Sequence, residues 1–563
     1  MISQKQLRLA RRVKLGTLAG AAAVLCASVS VQAQTIKPYF EFKKPRMITI
    51  NGDLSFDTNG QSAPVVNPGS PFAFGFEGVS QYDGASFGRN FIPPDTIGAV
   101  GRTQYMETTN GAYAVFDKAT GNRTALMSDV SFWAAAGKVG ANGDSRIMYN
   151  ADAGRWIAIS FAASVANIQI AVSDTDNALG TWKSTQFTGF AGGTADYPTL
   201  AMDKNAVYIG TNNFKPSFQG TTMNVIPITS LFGAGAPTVT NMKQFTTPFP
   251  GVNEDRGFAQ QGVNSRSASS SGTVMAASLF NFDNVGFKVN GLSGNDATGA
   301  TLGAASYLGM AAFSSPGAAR QPSVVLPANR RVIDALDERI SSSVYESQGK
   351  IFMVNTVNPD GDGLDEARVR YTVVDANTMA ILAEGDIGAA GYDYYQGSIA
   401  VNAAGQVVIG YNRSGNQTAD LDGDGLRDGN ITLMAQTFWA GATGKLTSTS
   451  GELKLKVSLT DDYHNGSIFG RDAAGRQRWG DYSQVSIDPN NESTFWVIGE
   501  FAREYNLAQF GHPGGTGGSR WGTYIAQINA PIPEPSTYAM MLAGLAVVGG
   551  IAARRRRGVA QAA

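Results

Sequence analysis

The sequence predicts an all-β fold, a β-propeller of about seven blades. Three features lead there: few charges among many glycines, one supersecondary unit that recurs along the chain, and no cysteine beyond Cys26. Charged residues make up 16% and glycines number 67, a balance suited to short strands joined by tight turns. The unit is clearest at residues 196–210, 393–410 and 481–499. Each copy opens on Asp-Tyr, runs through a short strand and a turn rich in Asn, Asp, Gly or Pro, and ends a second strand on Gly210, Gly410 or Gly499. Weaker copies begin at Asp95, Asp144 and Asp337, and a poorer one lies between Arg256 and Gly303 around residues 273–280. Units of roughly 40 to 65 residues with about four strands each suit radial repetition, which protects sheet edges without disulfides. A two-sheet sandwich and a β-helix are the rivals, but β-helices repeat in some twenty-odd residues and this spacing is longer.

The elements follow in order. Lys5, Arg8, Arg11, Arg12 and Lys14 precede an apolar run at 15–31, and Val31-Gln32-Ala33 offers small residues for cleavage, so residues 1–33 read as a secretory signal peptide for signal peptidase. Leu25 stands before Cys26 where a lipoprotein signal needs a small residue, which argues against lipidation. Residues 34–85, rich in Gly, Pro, Ser and Asn, read as an extended lead-in or a strand that helps close the ring. Residues 86–530 form the propeller, with blades from about Ser86 to Ile528. Between 34 and 530 there are 35 basic and 44 acidic side chains, a net charge of −9 that excludes a nucleic-acid partner.

Within the propeller, residues 173–182 are similar to the Asp-box turn of sialidase-like propellers, with a longer spacing from Asp176 to Gly180, and read as a structural hairpin. Two acidic loops carry the best chemistry. Residues 420–428 place Asp420, Asp422, Asp424 and Asp428 at positions one, three, five and nine, with Gly425 at six and the Leu426 carbonyl available. Hard oxygen ligands in that number suit Ca²⁺. Ile431 stands where an EF-hand needs Glu, and the loop resembles instead the calcium hairpin of integrin-type propellers. Asn358, Asp360, Asp362, Leu364 and Glu366 repeat the arrangement one unit earlier. The competing reading is a pair of solvated Asp-Gly turns.

Catalytic signatures are sparse. His464 and His512 stand in loop contexts, and neither a Gly-x-Ser-x-Gly elbow nor a His-Glu-x-x-His helix occurs. In a propeller the first strand of each blade lines the channel, so the unit starts converge on one mouth: Asp95, Asp144, Arg146, Asp196, Tyr197, Asp337, Arg339, Asp393, Tyr394, Asp481 and Tyr482. Carboxylates and arginines beside exposed aromatic rings suit saccharide recognition. The same residues also suit turn caps and ion pairs that seal the ring.

The last stretch, residues 531–563, runs Pro533-Glu534-Pro535, an apolar span at 538–553, then Arg554, Arg555, Arg556 and Arg557. The span is roughly 24 Å long as a helix, slightly short of a bilayer core of about 30 Å, and the arginines would stay cytoplasmic. This order resembles the PEP-CTERM sorting signal of Gram-negative exopolysaccharide producers. The resemblance implies an inner-membrane-anchored precursor, cut near Pro533-Glu534-Pro535 by an exosortase-type protease and delivered to the cell surface or extracellular matrix. The opening Pro94-Asp-Thr-Ile-Gly-Ala-Val-Gly101 and the late Trp479-Gly-Asp-Tyr-Ser483 resemble a group of exported bacterial proteins, a likeness that implies the fold and no activity. The expected function is a non-catalytic, calcium-stabilised propeller binding extracellular polysaccharide or a surface protein. The alternative is a glycoside hydrolase or lyase of sialidase-like fold with paired carboxylates at the mouth. A sialidase would also need an arginine triad, and a third mouth arginine is not evident.

Overall fold

The computed structural model describes residues 48–49, 62–249, 254–267, 272–322, 332–360, 363–464, 476–505 and 519–531. Both terminal signals, residues 1–33 and the tail with Pro533, Glu534, Pro535, the 538–553 span and Arg554–Arg557, lie outside these residues, as do Asp362 and His512. Among the described residues no helix is long and apolar enough to cross a membrane.

The fold is an all-β propeller of antiparallel sheets. The first sheet is Ile97–Val100, Gln104–Thr109, Ala112–Asp117 and Arg123–Ser128, in chain order from the inside outward. The second repeats that order with Arg146–Asn150, Arg155–Phe161, Asn167–Ser173 and Trp182–Thr188. The third takes Thr194–Asp196 and Ala201–Met202 as its split inner strand, followed by Ala206–Phe214, Phe218–Pro227 and Lys243–Pro248.

The count differs from the expected seven. Five sheets of four or five strands are separate blades, and the two remaining repeat units share one ten-stranded sheet. Its halves begin at Phe258–Asn264 and Val344–Ser347, and these two strands pair in parallel at Val263↔Val344 and Asn264↔Tyr345. The sequence repeat marks unit boundaries but not whether neighbouring inner strands touch, so fusion was invisible to it. The next separate sheet runs from Tyr392–Val401 through Gln406–Gly415 and Thr432–Ala440, with Leu446–Ser448 and Leu453–Val457 outside. The closing sheet joins the two ends of the chain. Gln484–Ile487, Thr494–Tyr505 and Ser519–Asn529 supply its inner strands, and Phe72–Ser80 with Val65–Val66 supply the outer ones.

Radial packing explains the sequence pattern strand by strand. Middle strands are covered by neighbours on both faces, so Ala206–Phe214 is buried at every position, whereas the outer Lys243–Pro248 alternates with solvent. Apolar side chains fill the gaps between sheets. Ile157, Ile159, Ile168 and Ile170 of the second meet Leu200, Val207 and Ile209 of the third. Trp133, Trp156, Trp479, Trp496 and Trp521 are fully buried, which gives the core its bulk in the absence of disulfides. The glycine that ends each unit marks the closest approach of two blades. A Cβ on Gly210 would lie 2.2 Å from the Gln260 carbonyl oxygen, and one on Gly410 would lie 2.6 Å from a Val497 methyl.

Candidate functional site

Several unit starts share one backbone device that the sequence did not advertise. Asp95, Asp144, Tyr197, Ala259 and Gln396 are non-glycine residues with φ between 49° and 52°; the first two stand just ahead of inner strands, Tyr197 between the two parts of one, and Ala259 and Gln396 at irregularities within Phe258–Asn264 and Tyr392–Val401. This left-handed geometry bends the chain at or near the start of each inner strand, at about 1–2 kcal/mol each. It falls on Asp95 and Asp144 but on Tyr197 and Gln396, so the alignment of unit starts slips by one residue at Asp196 and by three at Asp393. Asparagines at the end of the second strands clasp the next unit: Asp144 N donates to Asn110 Oδ1 at 2.8 Å and Ala259 N to Asn212 Oδ1 at 2.9 Å. Asn412 acts similarly, donating to the Glu500 carbonyl at 2.9 Å, whereas Asn355 donates at 2.7 Å to the Glu338 carbonyl at the start of its own unit.

Around these entrances lies a network of arginines, aspartates and tyrosines. Arg146 sits 3.4 Å over the Tyr482 ring and 5.2 Å from that of Tyr197, and its Nε donates to the Pro198 carbonyl at 2.9 Å. Arg339 covers Tyr197 at 4.5 Å and grips Asp337 through two bonds of 2.6 and 2.7 Å. Tyr197 and Tyr482 meet edge-on at 5.6 Å. Asp481 N donates to Asp95 Oδ1 at 2.7 Å, and Arg478 binds Asp481 at 2.7 Å while standing 3.4 Å from Asp334. Arg478, directly ahead of Trp479-Gly-Asp-Tyr482, is the third arginine of the network and carries no sequence signal of its own. Asp196 is buried in the same region, as are Arg146, Arg339 and Asp481.

Two expectations are corrected here. The mouth rings are not exposed stacking surfaces, since Tyr482 is 0% and Tyr197 1% exposed and arginines cover them. Asp393 and Tyr394 do not join the cluster. Asp393 accepts from the Arg320 backbone N and Nε at 2.8 and 2.7 Å, and Tyr394 packs against Tyr411 at 5.6 Å with its hydroxyl toward Glu452. The three-residue slip at Gln396 accounts for the displacement.

The carboxyl groups of the ring are electrostatically crowded. Burial, then Asp481 and Asp144, raises Asp95 well above the usual carboxylate range. Burial, then Asp196 and Asp481, does the same to Asp144, whose side chain is partly exposed. Asp337 goes the other way, because the charge and hydrogen bonds of Arg339 outweigh the burial that would raise it. Just outside, burial pushes Glu107 up to about 7 against hydrogen bonds from Thr523 Oγ1 at 2.5 Å and Val79 N at 2.9 Å. Burial and the neighbouring Asp337 push Glu338 up to about 8. Burial also raises Glu500 well above its range despite a 2.9 Å bond from Gly480 N.

The two acidic hairpins join second strands to third strands in neighbouring units, on the same face as the unit starts. In residues 420–428, Asp420, Asp422 and Asp424 are exposed and hold one carboxylate oxygen each within 4.8 Å of the others. Asp420 accepts from the Gly423 and Gly425 nitrogens at 2.7 and 2.9 Å, which curls the loop around that carboxylate. The Lys454 ammonium bonds Asp422 and lies 3.1 Å from Asp424. Asp428 is turned back to accept from Leu421 N at 3.0 Å and is outside the group of three. In the earlier hairpin no cluster of three such ligands forms among the described residues: Asn358 donates to Asp365 at 2.8 Å, Asp360 N bonds the Ala312 carbonyl, and Leu364 is exposed. Glu366 is buried between Arg320 and Arg368, at 2.9 and 2.5 Å. His464 packs against Asp462, its Nδ1 3.1 Å from that residue's carbonyl. In the hairpin at 173–182, Trp182 Nε1 donates to the Ala178 carbonyl at 2.9 Å, a structural tie.

The class of protein defined by this fold and tail is an exported β-propeller. Residues 531–557 match the family model for the PEP-CTERM protein-sorting motif, which implies export and processing by an exosortase-type protease. No curated protein matches the chain. Among solved structures, the WD40 domain of SCAP from fission yeast is similar at 8% identity over 85% of this chain and 98% of that one, with a TM-score of 0.32. A protein of unknown function from Dyadobacter fermentans is similar at 11% identity over 77% and 94%, TM-score 0.32. The α-L-arabinofuranosidase Arb93A from Fusarium graminearum is similar at 8% identity over 78% and 95%, TM-score 0.32.

Proposed function

We propose that the mature protein is a non-catalytic propeller of the Gram-negative cell surface or extracellular matrix, anchored in the inner membrane through residues 538–553 until its tail is cut, and that it binds polysaccharide or a surface protein. The observation that carries this reading is how the ring carboxylates are used. Asp481, Asp337 and Asp95 are bonded to Arg478, Arg339 and Asn110, and the tyrosine faces are covered by Arg146 and Arg339. Glycoside chemistry needs two carboxyl groups facing an open sugar site, and residues bonded in this way favour a scaffold role. Binding then falls to the exposed loops of the acidic-hairpin face. Incubation of residues 34–530 with the producer's exopolysaccharide is expected to give retention without released oligosaccharides. Released products, lost on Asp144→Asn or Asp196→Asn with folding intact, would instead establish the hydrolase or lyase alternative.

Calcium belongs to the same reading, at the 420–428 hairpin. Three convergent carboxylates beside a lysine ammonium favour a cation, and a divalent oxygen-seeking ion would displace Lys454 and recruit Asp428 and the Leu426 carbonyl. Affinity is expected in the extracellular range of roughly 10⁻⁴ to 10⁻³ M. Millimolar Ca²⁺ should raise the melting temperature, and Asp422→Asn should abolish the increment; an unchanged melting temperature would leave the hairpin a lysine-bridged turn. The earlier hairpin would need Glu366 to leave its two arginines, so its proposed calcium site is the weaker of the two.

A further inference from the structure

We propose that the ring is held with the rim at residues 402–406 and 488–493 against the membrane and the acidic hairpins facing away from it; this rests on the reading of the tail as a membrane anchor. In each antiparallel sheet the turn from first to second strand lies at one end, and the turn from second to third lies at the other with the unit starts. The final strand, Ser519–Asn529, is the third of the closing sheet and therefore runs toward the first-turn end.

Local contacts fix where the chain leaves. Asn529 N donates to the Pro71 carbonyl at 2.8 Å, Ala530 N donates to the Ser493 carbonyl at 2.9 Å, and Gln406 Nε2 bonds the Ala530 carbonyl. Ser493 and Gln406 bond each other at 2.8 Å, and Asn402 reaches the Glu492 carbonyl at 2.9 Å, so two neighbouring first turns grip the exit point.

Tyr538, the start of the apolar span, is eight residues past Ala530. Fully extended they reach at most about 26–29 Å. The hairpin 420–428 follows the ten-residue strand Gln406–Gly415, which carries it roughly 33 Å to the opposite rim. A tether this short brings the exit rim near the bilayer surface while the acidic hairpin stays a strand length beyond it. The cut site is bound by the same limit. Pro533 is three residues past Ala530, so a protease acting there works within about 11 Å of the gripped exit point.

The test uses the precursor after signal-peptide removal, residues 34–563, which has no cysteine, reconstituted into phosphatidylethanolamine–phosphatidylglycerol vesicles containing a nitroxide-headgroup lipid. A fluorophore is placed on Ala403→Cys in the exit rim or on Leu421→Cys at the acidic hairpin, both exposed positions. Quenching at 403 is expected to exceed that at 421 at least threefold. Equal quenching, or stronger quenching at 421, would overturn the orientation with the anchor intact. Precursor that fails to float with the vesicles would overturn the anchor reading, and the orientation with it.

Discussion

Replacing Arg478 with alanine is expected to destabilise the ring by roughly 3–5 kcal/mol, the usual penalty for breaking a buried ion pair from one side. The guanidinium is 15% exposed, and its partners Asp481 and Asp334 are 4% and 1% exposed. Removing it leaves Asp481 beside Asp95 in a region already crowded with carboxylates, and takes the guanidinium away from Asp334 while the backbone pairing of residues 332–334 with 476–477 remains. Urea denaturation at about pH 8 measures the loss. Arg478→Lys should recover only part of it, because one ammonium cannot match a planar fork that reaches two carboxylates. A loss below about 1 kcal/mol would mean that water screens these groups as it does surface pairs.

The second large effect is on pH. Glu107 is pushed up to about 7 and Glu338 to about 8 from an ordinary value of 4.5, and Asp95, Asp144 and Glu500 are also raised. A carboxyl whose folded pKa lies above its unfolded one adds stability that is complete below the unfolded value and is lost as pH rises through the folded value. For Glu107 alone this is on the order of 3 kcal/mol. Asp337 and Glu366 are held below their ordinary values, so their contribution is present above about pH 4 and is lost as pH falls further. The ring should therefore be most stable near about pH 5 and weaken steadily toward pH 8.5. Urea midpoints across that range provide the check, and Glu107→Gln should flatten the slope between about pH 5 and 8. A midpoint that rises toward alkaline pH would contradict the protonated state assigned to these groups.

The propeller was legible in the sequence because radial repetition writes itself into the chain. The Gly that ends each unit marks a close approach between blades, and the Asp-aromatic start marks the turn into an inner strand. What stayed hidden depended on pairing and on backbone angle. Nothing in residues 256–303 or 337–387 announces that Val263 and Val344 will lie side by side in one sheet. The left-handed irregularity at Gln396, inside the strand, leaves Asp393 away from the ring and in the grip of Arg320, although its letters match those of Asp481. Glu366 fits a ligand spacing, yet two arginines far apart in sequence take it first. The clasping asparagines were visible as letters, at Asn110, Asn212 and Asn412, but only the structure shows that they reach across to the next unit.

Closure of the ring sets an order of events in time. Phe72–Ser80 is made early and pairs with Ser519–Asn529, made last; Thr523 Oγ1 bonds the Val79 carbonyl across 444 positions of chain. The early strand must wait with its edge unpaired while the intervening sheets emerge from the export channel, and contacts so distant along the chain make for slow folding. The ring can be completed only when the last strand has emerged, immediately ahead of the sorting tail. A chain interrupted before residue 519 would lack both the strand that closes the ring and the signal that sends it onward, so premature termination would remove both together.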